Sequence, residues 1–342
     1  MNLLPSEEQL DIVSAATEFI ESRLPISDIR DRAELPSAVD SARWREGGEL
    51  GLLTLGLDES FGGSGRPLDD EVLVFAALAT RLAPGPFLAS TLAARVAAHS
   101  GDVELTELIG SGKALVGLGE LRGDGAFGAD GFKGSFDLLD CVGGTHVLLV
   151  AQHGAALVAI DEFPDITPVP SIDPAVRLST STVISGRVEH WVPASTDPIF
   201  SRAQVLAAAT LAGLATAAKN MATEHAATRI QFGKPIGVNQ AVKHMCADMA
   251  VSADASVSQT LFAAIALQSG RDDSEFQILS AKSVASRAAI DNAAHSIQVH
   301  GGMGYTYEHN AHLVLKRAHV YSHLFGEPTE VLAQLLQQGA AQ

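Results

Sequence analysis

Two short segments carry the side chains best suited to chemistry. The first, Arg229-Ile230-Gln231-Phe232-Gly233-Lys234-Pro235-Ile236-Gly237-Val238-Asn239-Gln240, sets a guanidinium, amides and an aromatic ring around a Gly/Pro turn. Arg bonds two oxygens of a phosphate at once through its planar fork, and Phe offers a face to a flat ring. The same residues would equally supply a cation at a helix C-terminus and a buried aromatic that anchors the turn. The second, Ser296-Ile297-Gln298-Val299-His300-Gly301-Gly302-Met303-Gly304-Tyr305-Thr306, has three glycines in four residues and a Gln. Glycines permit positive φ and close approach of the backbone to a ligand, and the amide both donates and accepts toward a ribose or base edge. An ordinary interhelical turn is the alternative.

Other constellations are weaker. His319 and His323 lie four apart with His312 upstream, a ligand spacing on a helix, but no acidic residue completes an H-E-x-x-H, so no metal is expected. The Phe61-Gly62-Gly63-Ser64-Gly65 stretch lacks the Lys-Ser/Thr of a phosphate loop and reads as a turn. Cys141 and Cys246 belong to no C-x-x-C and read as small buried apolar residues.

The elements that must position these segments follow from periodicity. Ser6 and Gln9 fit a capping box at the head of an amphipathic helix that runs to Pro25. Further helices are expected at 41–50, 69–82 and 86–100. From Ala114 to about Trp191 short β-branched runs bounded by Gly, Pro or Asp predict a small β-domain. Long Ala/Leu/Val segments at 202–228, 239–268, 274–298 and 309–325 predict a bundle of four antiparallel helices. The plan is α+β, mainly α, with domains over 1–112, 113–198 and 199–342. The 342 residues hold 46% hydrophobic residues, enough for a large core, and the net charge of −17 argues against nucleic-acid or anionic-membrane partners, which need clustered basic charge. With no secretory leader and no run of about 18 consecutive apolar residues, a cytoplasmic location is expected.

The two segments, in this order and in this helix–β–helix plan, resemble the acyl-CoA dehydrogenase family over nearly the whole chain. Arg229-x-Gln-Phe-Gly-Lys-Pro-Ile resembles its R-x-Q-F-G-x-x-I signature, and Gln298-x-x-Gly-Gly-x-Gly-Tyr its Q-x-x-G-G-x-G-[YF] signature. Trp44, Gly51, the 61–65 turn and Ala281-Lys282 are similar as well. The resemblance implies an oligomer that binds FAD at subunit interfaces and oxidises the Cα–Cβ bond of an acyl-CoA thioester. A carboxylate would take the α-proton while hydride leaves Cβ for the flavin, and electron-transfer flavoprotein would be the acceptor. It further implies that Arg229, Gln231, Phe232, Gln240, Gln298, Gly301 and Gly302 reach the FAD of a neighbouring subunit.

The other half of the family's site is altered. Where relatives carry a Thr-Glu-Pro-x-x-Gly-Ser-Asp-like stretch for their own flavin, this chain reads Gly119-Glu120-Leu121-Arg122-Gly123-Asp124-Gly125, which keeps Glu120 and at most Asp124. The usual catalytic Glu falls on Phe325, and the Glu-Arg pair used by some relatives falls on Ala203-Gln204. Glu327 is the tentative substitute base, with Glu308 a poorer one. Residues for a neighbour's flavin are thus kept while those for this chain's own flavin and base are lost. The expectation is a non-catalytic subunit of a heterotetrameric (α2β2) enzyme for a bulky acyl-CoA such as a steroid-derived one, completed by a paralogous subunit. The alternatives are a self-sufficient homo-oligomer with Glu327 as base and a flavin-free scaffold.

Overall fold

A computed structural model describes residues 3–338. Helices α1 (Glu7–Arg23), α2 (Asp28–Asp31), α3 (Ser41–Glu49), α4 (Leu68–Thr80), α5 (Phe87–His99) and α6 (Val103–Gly110) come first. Ser6 and Gln9 do form a reciprocal cap on α1: the Ser6 N–H donates to Gln9 Oε1 at 2.9 Å and the Gln9 N–H to Ser6 Oγ at 3.2 Å. Helix α3 starts where Asp40 accepts the N–H groups of Ala42 and Arg43. Periodicity misses α6, which is only eight residues long and too short to show a repeating stripe.

Seven strands follow: β1 (Val116–Gly128), β2 (Gly131–Leu139), β3 (His146–Ala151), β4 (Gly154–Ala159), β5 (Thr167–Val169), β6 (Leu178–Gly186) and β7 (His190–Pro193). They form one sheet in the order β5-β6-β2-β1-β3-β4-β7, antiparallel except for the β1–β3 pair. Its core is aromatic at the centre: the rings of Phe132, Phe136 and Phe163 meet pairwise at 5.0–5.6 Å, with Leu138, Val147, Leu149 and Val158 packed around them.

The remainder is helical: α7 (Ile199–Thr228), a two-stranded hairpin of β8 (Ile230–Gln231) and β9 (Lys234–Pro235), α8 (Gln240–Gln268), α9 (Ser274–His300), α10 (Ala311–His323) and α11 (Pro328–Gln337). The expected 309–325 helix ends as α10 just before Phe325, where φ is +58°, and α11 beyond it is not foreseen by periodicity. Small residues let the helices pack closely. At Gly213 an added Cβ would lie 2.2 Å from the Ala76 carbonyl oxygen, so α4 and α7 meet backbone to backbone there. Buried polar ties fix the register. The Asn292 amide donates to the carbonyls of Ala215 (3.2 Å) and Met249 (2.9 Å) and accepts from Ser252 Oγ (2.9 Å), which joins α7, α8 and α9. Lys282, 1% exposed, donates to the carbonyls of Tyr321 and Ser322 at the end of α10.

Two compact units result, and they do not follow chain order: stretches 1–17, 72–83 and 204–342 make one, 18–71 and 84–203 the other. Although no run of eighteen consecutive apolar residues exists, α7 and α8 are long and apolar enough by composition to cross a membrane. The most apolar window of α7 is 78% buried, as in a core helix, whereas that of α8 is 39% buried. Cys141 is buried as expected, but Cys246 is only half-buried.

Candidate functional site

The two signature segments are brought side by side at one end of the bundle. The contact is made by imidazoles: the ring centroids of His225, one turn before Arg229, and His300, two residues after Gln298, lie 4.3 Å apart. Helix α7 ends at Thr228, and Ile230–Gln231 pairs antiparallel with Lys234–Pro235. The two loop residues of that hairpin, Phe232 and Gly233, have φ of +51° and +77°. Two positive φ values in a two-residue hairpin are the pattern of a type I′ turn, which favours Asn or Gly at its first position. A phenylalanine held there is strained, and its side chain is wholly exposed, so it is not the buried anchor that the sequence allowed.

Arg229, Gln231, Gln240, Gln298, Gly301 and Gly302 are exposed too. A Cβ added at Gly233, Gly301 or Gly302 would meet nothing within 4 Å. Beyond α9 the 3-10 turn Gly301–Tyr305 is pinned only at Gly304, which packs on Ile297. The surroundings are apolar and bare as well: Ile230 is 53% exposed, Met303 51% and Tyr305 77%. A guanidinium, three amides and open glycine backbone among uncovered rings suit an anionic dinucleotide such as the ADP half of FAD, sandwiched by a second surface.

The usual base position, Phe325, meets Gln204, the second residue of the Ala203-Gln204 pair that stands where some relatives carry Glu-Arg. Gln204 and Phe325 are 5% exposed each, and Gln204 Nε2 donates to the Phe325 carbonyl at 3.0 Å. Two positions that are 121 residues apart in sequence are thus one place in space, occupied by an amide and a ring and by no carboxylate. Glu327 does not join them. It is the N-cap residue of α11 and pairs at the surface with His323 Nδ1, its side chain 44% exposed. Glu308 is exposed on the loop before α10.

In the sheet, Arg122 lies between Glu120 (3.3 Å) and Asp137 (2.7 Å), and the β1–β2 register slips between Arg122 and Ala126, around Asp124. The carboxylate retained at Glu120 therefore has a partner within the strand. A second charged cluster escaped sequence reasoning altogether. Arg95 binds Asp197 through Nη2 at 2.7 Å and the Gly56 carbonyl through Nη1 at 2.8 Å, while Arg202 pairs with Glu71. Burial pushes the Glu71 carboxyl up against the pull of Arg202 and Arg95. No sequence spacing links four charges on four separate segments. The stacking of His225 on His300 has no signal in sequence spacing either, although His300 lies inside the second signature.

Comparison with known proteins identifies the family. Residues 6–107 match the N-terminal domain of acyl-CoA dehydrogenases and residues 197–341 match their C-terminal domain. The chain is 31% identical over 337 residues to acyl-CoA dehydrogenase IpdE2 of Mycobacterium tuberculosis, covering 97% of this chain and 98% of the relative. Among solved structures it superposes on the Tcur3481-Tcur3483 steroid ACAD G363A variant with a TM-score of 0.85, at 22% identity and 97% coverage of both chains. It superposes on the ChsE4-ChsE5 complex of Mycobacterium tuberculosis with a TM-score of 0.84, at 22% identity and full coverage of both. Proteins of this kind are FAD-dependent flavoproteins that oxidise acyl-CoA thioesters. With both domain descriptions matched and a relative aligned end to end, the chain belongs to the acyl-CoA dehydrogenase family.

Proposed function

We propose that the chain is a subunit of a FAD-dependent acyl-CoA dehydrogenase that completes the flavin site of a paralogous partner in an α2β2 assembly. The observation that carries this reading is Phe232, held at positive φ and wholly exposed beside Arg229. Strain and a bare aromatic ring on one residue suit a second surface that closes over it. Arg229 would take the pyrophosphate of FAD, Phe232 would cover a flat ring, and Gln298 with the open backbone of Gly301 and Gly302 would meet the ribose or base edge. Gln231 and Gln240 border the same face. The cofactor supplies the two-electron oxidant for α,β-dehydrogenation. The uncovered side of α8, whose most apolar window is 39% buried, carries Ala247, Val251 and Ala255 between charged residues and adds a further surface for a partner.

The base is best sought in that partner, because the two positions where the resemblance puts a base are Phe325 and Ala203, neither of them a carboxylate. The homo-oligomeric alternative would require Glu327 to leave His323 and swing inward. A flavin-free scaffold leaves the strained, exposed hairpin without a purpose. The solved neighbours that are a steroid ACAD and a two-component complex support a bulky acyl-CoA substrate and a paralogous partner. Electron-transfer flavoprotein as acceptor and a cytoplasmic location complete the proposal.

The test is the visible spectrum of the chain purified alone and after co-purification with a paralogous dehydrogenase subunit. Flavin bands only in the mixed complex, lost with Arg229→Ala, are the expected result. A yellow, active oligomer of this chain alone, inactivated by Glu327→Gln, would replace the proposal with the homo-oligomeric enzyme.

A further inference from the structure

Three histidines lie in a column directly beneath the exposed signature face. The His300 ring is flanked by His225 and by His309, with ring centroids 4.3 Å away on each side and interplanar angles of 32° and 52°. The column joins the last turn of α7, the last residue of α9 and the residue two before α10. Those are the supports of Arg229, of Gln298 to Gly302, and of the loop that returns the chain to the bundle.

Hydrogen bonds show the protonation state that this column needs. His300 Nδ1 lies 2.7 Å from the Ser296 carbonyl, which can only accept, so Nδ1 carries the proton. His309 Nδ1 accepts the Ala311 N–H at 3.1 Å, so that nitrogen is bare and His309 is neutral. This bond also caps α10, since Asn310 makes no side-chain cap. A proton on His309 Nδ1 would destroy the cap, and protons on two adjacent rings would set charge against charge across one ring spacing.

We propose that the stacked imidazoles of His225, His300 and His309 are positioning residues, a proton-sensitive latch that presents Arg229 and Gln298 to Gly302 to a flavin nucleotide only while the rings are neutral. The flavin part rests on the trans-completion reading above; the latch itself does not. Two positive groups bear on His225: Arg229, just beyond the end of α7, opposes added positive charge on it, as does His300 from α9. The Ile236–Val238 turn that packs on Ala226 brings no charge. Exposed Glu224 and Glu308 adjoin His225 and His309 in sequence, and His312 of α10 stacks on Tyr307. Desolvation first, then His300 and Arg229, hold the His225 pKa below its usual 6.5. A depressed histidine pKa makes the closed form lose stability as pH falls through 6.5, because the open form takes up the proton first.

The test is hydrogen–deuterium exchange of the 298–311 segment in the full chain at pH 7.5 and 5.5, corrected for intrinsic rates. If His225 stays neutral in the closed form at pH 5.5 and titrates at the usual 6.5 in the open form, protection falls roughly tenfold between the two. His225→Phe keeps an aromatic neighbour for His300, and His309→Asn keeps an acceptor for the Ala311 N–H. In the double variant neither of these rings is left to titrate, so it is expected to retain its protection at pH 5.5. Wild-type protection that is unchanged with pH, or a loss equally deep in the double variant, overturns the latch. Flavin content of the co-purified complex is read at the same two pH values. Loss of flavin together with protection supports the whole proposal; loss of protection with flavin retained overturns trans-completion and leaves the latch standing.

Discussion

The buried four-charge cluster invites a double-mutant cycle. Glu71 and Arg202 have side chains 2% and 13% exposed, and Arg95 and Asp197 are 13% and 6% exposed. The two carboxylates and two guanidiniums cancel. Replacing either member of the Glu71–Arg202 pair with Met therefore leaves one uncompensated charge in the interior, at a cost of about 3–5 kcal/mol. Replacing both leaves the Arg95–Asp197 pair, which is neutral by itself and keeps the Gly56 carbonyl as a further partner. Two methionines of adaptable shape then fill the space. The double variant is expected within about 1 kcal/mol of wild type, so the coupling between the sites exceeds about 4 kcal/mol. The assay is urea unfolding followed by tryptophan fluorescence. Both tryptophans, Trp44 and Trp191, belong to the same compact unit as the cluster, so the signal reports on that unit. Additive single-variant costs, or a double variant less stable than either single, would refute the charge-balance reasoning.

Arg229→Ala is expected to leave the melting temperature of the lone chain nearly unchanged, because the side chain is exposed, and to weaken flavin binding in the mixed complex by about 1.5–3 kcal/mol per charged hydrogen bond lost, read by flavin fluorescence. Gly213→Ala should destabilise by at least about 1–3 kcal/mol in thermal unfolding, since its Cβ would meet a backbone oxygen at 2.2 Å. Asp40→Ala should cost about 1 kcal/mol near neutral pH through loss of the α3 cap. The N–H groups of Arg43 and Ala42 hold the Asp40 carboxyl below its usual 3.8. A depressed carboxylate pKa adds stability above the unfolded value that is lost as pH falls through the folded one. The gap between wild type and Asp40→Ala should therefore close below pH 3.8 in a series of melting curves.

Much of the fold is legible in the sequence. The Ser6/Gln9 cap, the α5 limits and the long bundle helices follow from i, i+3, i+4 patterning and from local side-chain bonds to the backbone. What periodicity misses are short elements such as α2, α6 and the terminal α11, which follows a turn where Phe325 takes a positive φ that no propensity announces. At the site, residue identities were visible beforehand but their surroundings were not. Phe232 reads as a buried anchor or a ligand-facing ring with equal right until its exposure is known.

By itself the sequence determines the order of helices and strands, the two signatures and the absence of a carboxylate at Phe325 and Gln204, because these are properties of single positions and of neighbours along the chain. Tertiary structure alone decides which distant positions are one place. It sets Gln204 against Phe325, stacks His225 and His309 on either side of His300, and gathers Glu71, Arg95, Asp197 and Arg202 into one balanced cluster. The physical reason is that charge compensation, ring stacking and desolvation act through space over a few ångströms, whereas sequence patterns report only on faces of elements that are contiguous in the chain.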